Sequence, residues 1–273
     1  MGLFRKKEDP EDLMYDAMGM VERNQPKAAI SLFNKVLKQE PENTEALLQK
    51  GLALNQIKKY QDAITCFDKL IEINPKDAQA LNNRGISMAE TGNIQGAAEY
   101  YDKSIEADSK YASAYFNKGV LLDKLQEHEE ALKVLEKAIT IDPKKPNALI
   151  YKGIVLGKLK RNEESLNCFS NVCKKYPNNL DAFFQKGVQL AELGQHKKAL
   201  DVFDEILKKF KGNVNVIYAK SRSMAALEKY PESLELLKQA VSVSPKVIRA
   251  WAKEEPIFTK LHNNEQFRKI IKF

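Results

Sequence analysis

Glycine falls on a grid in this sequence. Gly51, Gly85, Gly119, Gly153 and Gly187 stand 34 residues apart, and Ser221, another small residue, takes the next point. The chain has only 12 glycines among 273 residues, so the grid accounts for a large share of them. Three other columns keep the same phase. Proline recurs at Pro41, Pro75, Pro143, Pro177 and Pro245, with Ser109 and Lys211 at the intervening points. Twelve residues after the glycine column come Ala63, Ala97, Ala131, Ser165, Ala199 and Ser233, and sixteen after it come Phe67, Tyr101, Leu135, Phe169, Phe203 and Leu237. Ala17, Ala29 and Phe33 extend the pattern one unit back. A chain that repeats itself in four columns is a stack of like units, each covering its neighbour's apolar face.

The periodicity inside a unit is helical. Leu81, Gly85 and Met88 mark one face at spacings of four and three. Thr91-Gly92-Asn93 then reads as a turn, and Ala97, Tyr101 and Ile105 mark a second helical face. Two small residues, such as Gly85 and Ala97, are expected where the helices cross. The proline after the second helix cannot extend it, and so sets the next turn.

This combination of small, small, ring and proline at a 34-residue period resembles the tetratricopeptide repeat. The resemblance runs from Pro10 to Val247 as seven units: 10–43, 44–77, 78–111, 112–145, 146–179, 180–213 and 214–247. It implies an all-α, right-handed superhelical solenoid of helix–turn–helix repeats whose first helices line a concave wall. Protein partners, as extended or helical peptides, are expected along that wall, and catalysis is not. Residues 248–273 keep Trp251, Phe258 and Ile271 in phase, but Glu255 and Phe267 take the small positions and Pro256 interrupts the first helix. That segment is expected to be a degenerate eighth repeat acting as a C-terminal cap. Residues 1–9 are expected to be an unstructured start, with Asp9 and Pro10 beginning the first helix.

Composition and motifs exclude most other classes. Lys and Arg number 44 against 37 Asp and Glu, a net charge of +7 that does not by itself call for a nucleic acid. No apolar run approaches a membrane span, and Met1 to Lys7 lacks an apolar signal segment. Lys6 stands where an N-myristoylation motif requires Ser or Thr. Three cysteines, Cys66, Cys168 and Cys173, are no disulfide framework and read as packing thiols. His128, His196 and His262 lie too far apart to form a catalytic or metal-binding group. The run Gly153-Ile-Val-Leu-Gly157-Lys158 is one residue short of a phosphate loop and lies inside a helical pattern. The expectation is a cytoplasmic adaptor or scaffold without cofactor or metal, with self-association compatible with such an array.

Candidate binding residues sit in three columns. The positions six and two before the glycine, and one and five after it, form a stripe facing away from the second helix. Two before the glycine stand Gln49, Asn83, Asn117, Tyr151 and Gln185. In the family that this chain resembles, Asn in this column often bonds a bound peptide backbone, for which a carboxamide offers both donor and acceptor. One after the glycine stand Leu52, Ile86, Val120, Ile154 and Val188. This aliphatic column either lines the groove as an apolar strip or packs between neighbouring first helices. Just before the glycine stand Lys50, Arg84, Lys118, Lys152, Lys186 and Lys220. That basic column is the alternative site, for a nucleic acid or an acidic partner, unless its stems merely cover the neighbouring helix. Leu48, Leu52, Ser113 and Asn117 stand where the chaperone-tail members of the family clamp a carboxylate, so that mode is not expected here.

Overall fold

A computed structural model describes residues 9–272, and all regular structure among them is helical. The expected unstructured start, apart from Asp9, lies outside the described residues. The first pairs are α1 (Pro10–Glu22) with α2 (Pro26–Gln39) and α3 (Thr44–Gln56) with α4 (Tyr60–Ile73). Next come α5 (Ala78–Glu90) with α6 (Ile94–Ala107) and α7 (Ala112–Lys124) with α8 (His128–Ile141). Then follow α9 (Pro146–Lys158) with α10 (Asn162–Lys175) and α11 (Leu180–Glu192) with α12 (His196–Lys209). The last full pair is α13 (Val214–Ala226) with α14 (Tyr230–Val243). Residues 9–144 form one compact unit and residues 145–272 a second. Within each unit every helix packs on the helices next to it in sequence.

Helix starts follow a column of their own. Asp9, Asn43, Asp77, Asn179 and Asn213 are phased with the repeat, and each side chain accepts an N–H from the first turn it precedes. These bonds satisfy donors that a helix end leaves open. Tyr111 and Lys145 occupy the same column before α7 and α9 and supply no such bond. Lys145→Asp should therefore stabilise the second unit by about 1 kcal/mol, read as a higher urea midpoint with unchanged slope.

First helices end in another phased column. Asn24, Lys58, Gly92, Gln126, Lys160, Gly194 and Glu228 all have positive φ, between 56° and 88°. The residue after each returns its N–H to a carbonyl five back, as in Lys59 N to Leu54 O and Asn93 N to Met88 O, both at 2.9 Å. This is the left-handed helix stop that glycine favours. Only two of the seven positions use glycine, which is why the sequence hides the column.

Three of the four columns of the repeat form the core, and the prolines of the fourth are exposed. Ala17, Ala63, Ala97, Ala131 and Ala199 are fully buried, and so are Ser165 and Ser233. The large residues sixteen after the glycine are buried too, Tyr101 being the most exposed at 3%. The glycines serve these large residues more than the small ones. A Cβ on Gly85 would lie 2.7 Å from Tyr101 Cε1 but 3.2 Å from the Ala97 carbonyl oxygen. The two small residues do meet at the crossing, and the glycine also makes room for the ring. Where Ser221 replaces glycine, the ring is replaced by Leu237, and Ser221 and Ser233 exchange hydroxyl-to-carbonyl hydrogen bonds at 2.9 Å.

After α14 come α15 (Pro245–Glu254), a 3-10 turn at Pro256–Leu261 and α16 (Glu265–Ile271). Ile248, Ala252, Phe258, Leu261, Phe267 and Ile271 are buried against Ile217, Leu234 and Leu237 of the last pair. Trp251 differs from its column: it is 46% exposed, with its ring 5.6 Å from that of Tyr218, where Leu47 and Leu81 are buried. Its helix is short and breaks at Pro256, and no following second helix closes over the ring.

Candidate peptide-binding surface

First helices of neighbouring repeats touch directly within each unit, α3 with α5 and α5 with α7, then α9 with α11 and α11 with α13. Their shared outer stripe grades from solvent inward. Glu45, Gln79, Gln56, Glu90 and Lys124, at its edges, are exposed. Between them Gln49, Asn117, Tyr151 and Gln185 are half-buried, as are Leu52, Ile86, Val120, Ile154 and Val188.

The aliphatic column packs on one side and stays open on the other. Leu52 rests on Leu54, Ala63 and Phe67, and Ile86 on Ala97, Tyr101 and Leu121. Ile154 and Val188 rest on the clusters around Phe169 and Phe203. Each of the two sequence-based readings describes one side of the same residues. In the first unit, Ile86, Asn117 and Val120 come together around an open cavity of about 130 Å³, with Glu90 and Lys124 also lining it.

The carboxamides are less free than their column implies. Asn83 is 8% exposed and donates Nδ2 to Gln79 O of its own helix at 2.8 Å. Asn117 donates Nδ2 to Asn82 Oδ1 at 2.8 Å, tying α7 to α5, and the residue also lines the cavity. Gln49 donates to Glu45 Oε1 at 2.8 Å. Asn82 was not among the candidates. It lies three before the glycine, where neighbouring units carry Leu48, Phe116 and Ile150, so a polar residue on an apolar column was the available signal.

In the second unit Val188 lines a cavity of about 290 Å³ with Arg222, which continues the aliphatic column as a cation. Arg222 Nε lies 2.6 Å from Glu255 Oε2 and its Nη2 3.5 Å from Glu192 Oε1, so the cap and α11 share its charge. His196 faces the same cavity. Burial, and then the Arg222 guanidinium, hold its imidazole below the usual histidine range despite Glu192, which keeps it neutral at pH 7.

The basic column turns the other way. Arg84 pairs with Asp68, Lys118 Nζ with Asp102 Oδ1 at 2.5 Å, and Lys220 with Asp204, each carboxylate sixteen residues earlier on the preceding second helix. These cations tie one repeat to the next. His128 Nδ1 lies 3.0 Å from Asp123 Oδ1, whose side chain is 1% exposed. All three thiols are buried, and burial pushes Cys173 up to about 11. Among the described residues no group of three or more His, Cys, Asp or Glu is arranged to hold a metal ion, and no helix is long and apolar enough to cross a membrane.

Three tetratricopeptide repeat family models match the sequence, over residues 20–82, over 112–145, and over 58–112 with 152–214. The chain belongs to the tetratricopeptide repeat family. No curated protein matches it in sequence. Solved tetratricopeptide structures share its fold. One from Parabacteroides merdae ATCC 43184 is 16% identical, with a TM-score of 0.67 over 96% of this chain and 97% of its own. PilF of Pseudomonas aeruginosa is 20% identical, with a TM-score of 0.66 over 78% and 97%. YrrB, described as a tetratricopeptide repeat protein with an unusual peptide-binding site, is 28% identical, with a TM-score of 0.54 over 69% and 97%. Its tetratricopeptide repeats support a protein-interaction role in general.

Proposed function

We propose that this protein is a non-catalytic adaptor that holds a peptide segment of a partner protein along its first helices. The observation that carries the reading is the joint placement of Ile86, Asn117 and Val120 around one open cavity. The two aliphatics offer apolar contact and the Asn117 Oδ1 can accept a backbone N–H, the combination an extended or helical peptide needs. Asn83, buried and committed to Gln79 O, contributes less than its column suggests. YrrB, the relative described by its peptide-binding site, supports the same reading. The alternative, a nucleic acid or acidic polymer bound along the whole basic column, loses Arg84, Lys118 and Lys220 to carboxylates of the fold itself.

Val120→Glu tests the reading. Half-buried and open to the cavity, the new carboxylate can reach water, so the melting temperature should fall by only a few degrees. Proteins retained from native lysate by the immobilised chain should be lost, because a peptide would have to bury that charge. Asn117→Ala should weaken the same partners by about 1 kcal/mol. Full retention by Val120→Glu would remove the first-helix surface from consideration.

A further inference from the structure

The repeat supplies its own comparison for one further cavity. Behind α5, Arg84 is held by Met88 Sδ of its own helix at 2.9 Å and by two groups from neighbouring helices: the carboxylate of Asp68 on α4 and the ring of Tyr100 on α6, whose centroid is 3.9 Å from the guanidinium carbon. One unit earlier the cation remains, as Lys50, but both partners are gone. Asn34 stands in the Asp68 column and Cys66 in the Tyr100 column. The space they vacate is an open cavity of about 370 Å³ among α2, α3 and α4, lined by Asn34, Lys50 and Cys66.

Its charge is also unlike that of its counterparts. Lys59 and Lys69 line the cavity with Lys50, against a single acid, Asp62, which lies 3.8 Å from Lys59. Lys50 and Lys69 hold no ion pair among the described residues. Lys186 also lacks the column's acid, with Ser170 in that place, but Glu205 there replaces the residue corresponding to Lys69. The ring belongs to the Arg84 layer alone, its column otherwise holding Cys66, Val134, Cys168, Val202 and Leu236, and only at Lys50 do a missing acid and a second lysine coincide. Ile30, Leu37 and Leu54 provide apolar wall.

We propose that this cavity binds an acidic segment of a partner protein. A carboxylate sits on Lys50 and Lys69, and an aromatic side chain beside it covers Cys66, so the partner supplies the two groups that the next repeat carries as Asp68 and Tyr100. The apolar wall favours such a segment over a bare phosphate, which has nothing to lay against it, and Asp62 repels a dianion more than a single carboxylate. The inference rests on the chain being a protein-binding array but not on the first-helix surface, so the two stand or fall separately.

The test uses two short peptides, acetyl-Glu-Phe-Glu-amide and its neutral counterpart acetyl-Gln-Phe-Gln-amide, titrated into the full ¹⁵N-labelled chain. The acidic peptide should give saturable amide shifts confined to α2, α3 and α4, with the neutral peptide at least tenfold weaker. Asn34→Asp, a change at an exposed position, fills the site with the chain's own carboxylate and should lower affinity at least tenfold, as should Lys50→Gln. Val120→Glu should leave it unchanged. Equal binding of both peptides, unaltered affinity in Asn34→Asp and Lys50→Gln, or inorganic phosphate competing as tightly as the acidic peptide would overturn the proposal.

Discussion

Phe258→Ala should lower the stability of the second unit by about 3–5 kcal/mol, the usual cost of emptying a buried phenylalanine site. The ring is fully buried, 5.6 Å from Phe267 and 6.2 Å from Tyr218 between centroids, and so joins the 3-10 turn to α16 and α13. Removing it leaves Ile248, Leu261 and Ile271 without their central neighbour on the flank of the last pair. Urea unfolding followed by circular dichroism should show an earlier transition, and hydrogen exchange should locate the loss in α13 to α16. Amides of α1 to α4 should keep their protection, because coupling in such arrays decays from neighbour to neighbour. Trp251→Ala, at a site already 46% exposed, should cost under about 1 kcal/mol. If Phe258→Ala melts like the parent chain, residues 245–272 do not cap the stack.

Two glycine-to-alanine changes should act with opposite sign. At Gly85 the added methyl would fall 2.7 Å from the Tyr101 ring, which is buried in the cluster of Ala97, Leu121, Ile86 and Met88. Overpacking of that kind costs about 1–3 kcal/mol, more than the roughly 1 kcal/mol that alanine gains over glycine in a helix. Gly19, inside α1, has no atom within 4 Å of the same added methyl. Gly19→Ala should therefore stabilise the chain by about 0.5–1 kcal/mol. Thermal melts of the two variants decide the matter, and equal signs would show that the glycine column does not exist for its ring.

The fold was legible because its causes are steric and periodic. A glycine that must admit a ring, an alanine that must admit a helix and a proline that must end one leave marks that no other residue type reproduces at fixed spacing. The helix stops left no such mark, since Lys58, Gln126, Lys160 and Glu228 adopt the left-handed conformation without looking like glycine. Their backbone bonds define the turn, and the side chain simply tolerates it. The candidate surface was half legible. Helical geometry put Ile86, Asn117 and Val120 on one stripe, and they do line one cavity. What the column of carboxamides could not convey was how each is already bonded: Asn83 to its own helix, Asn117 to Asn82 on the helix before. Three members of the basic column, Arg84, Lys118 and Lys220, are likewise already paired. Their partners, Asp68, Asp102 and Asp204, lie sixteen residues back on another helix, a spacing that no single-helix pattern reveals.

Packing restricted to sequence neighbours has a further consequence for how the chain is made. A fold whose contacts join distant segments must wait for the last of them, and its closure entropy is spent before any contact repays it. Here α1 and α2 meet across a turn of three residues, and α3 then completes the apolar face they leave. Within a unit, each pair emerging from the ribosome finds its upstream partner already in place. Only the newest edge of a nascent unit is then open to wrong association, and in the second unit that exposure ends when Phe258, Phe267 and Ile271 close over α13 and α14.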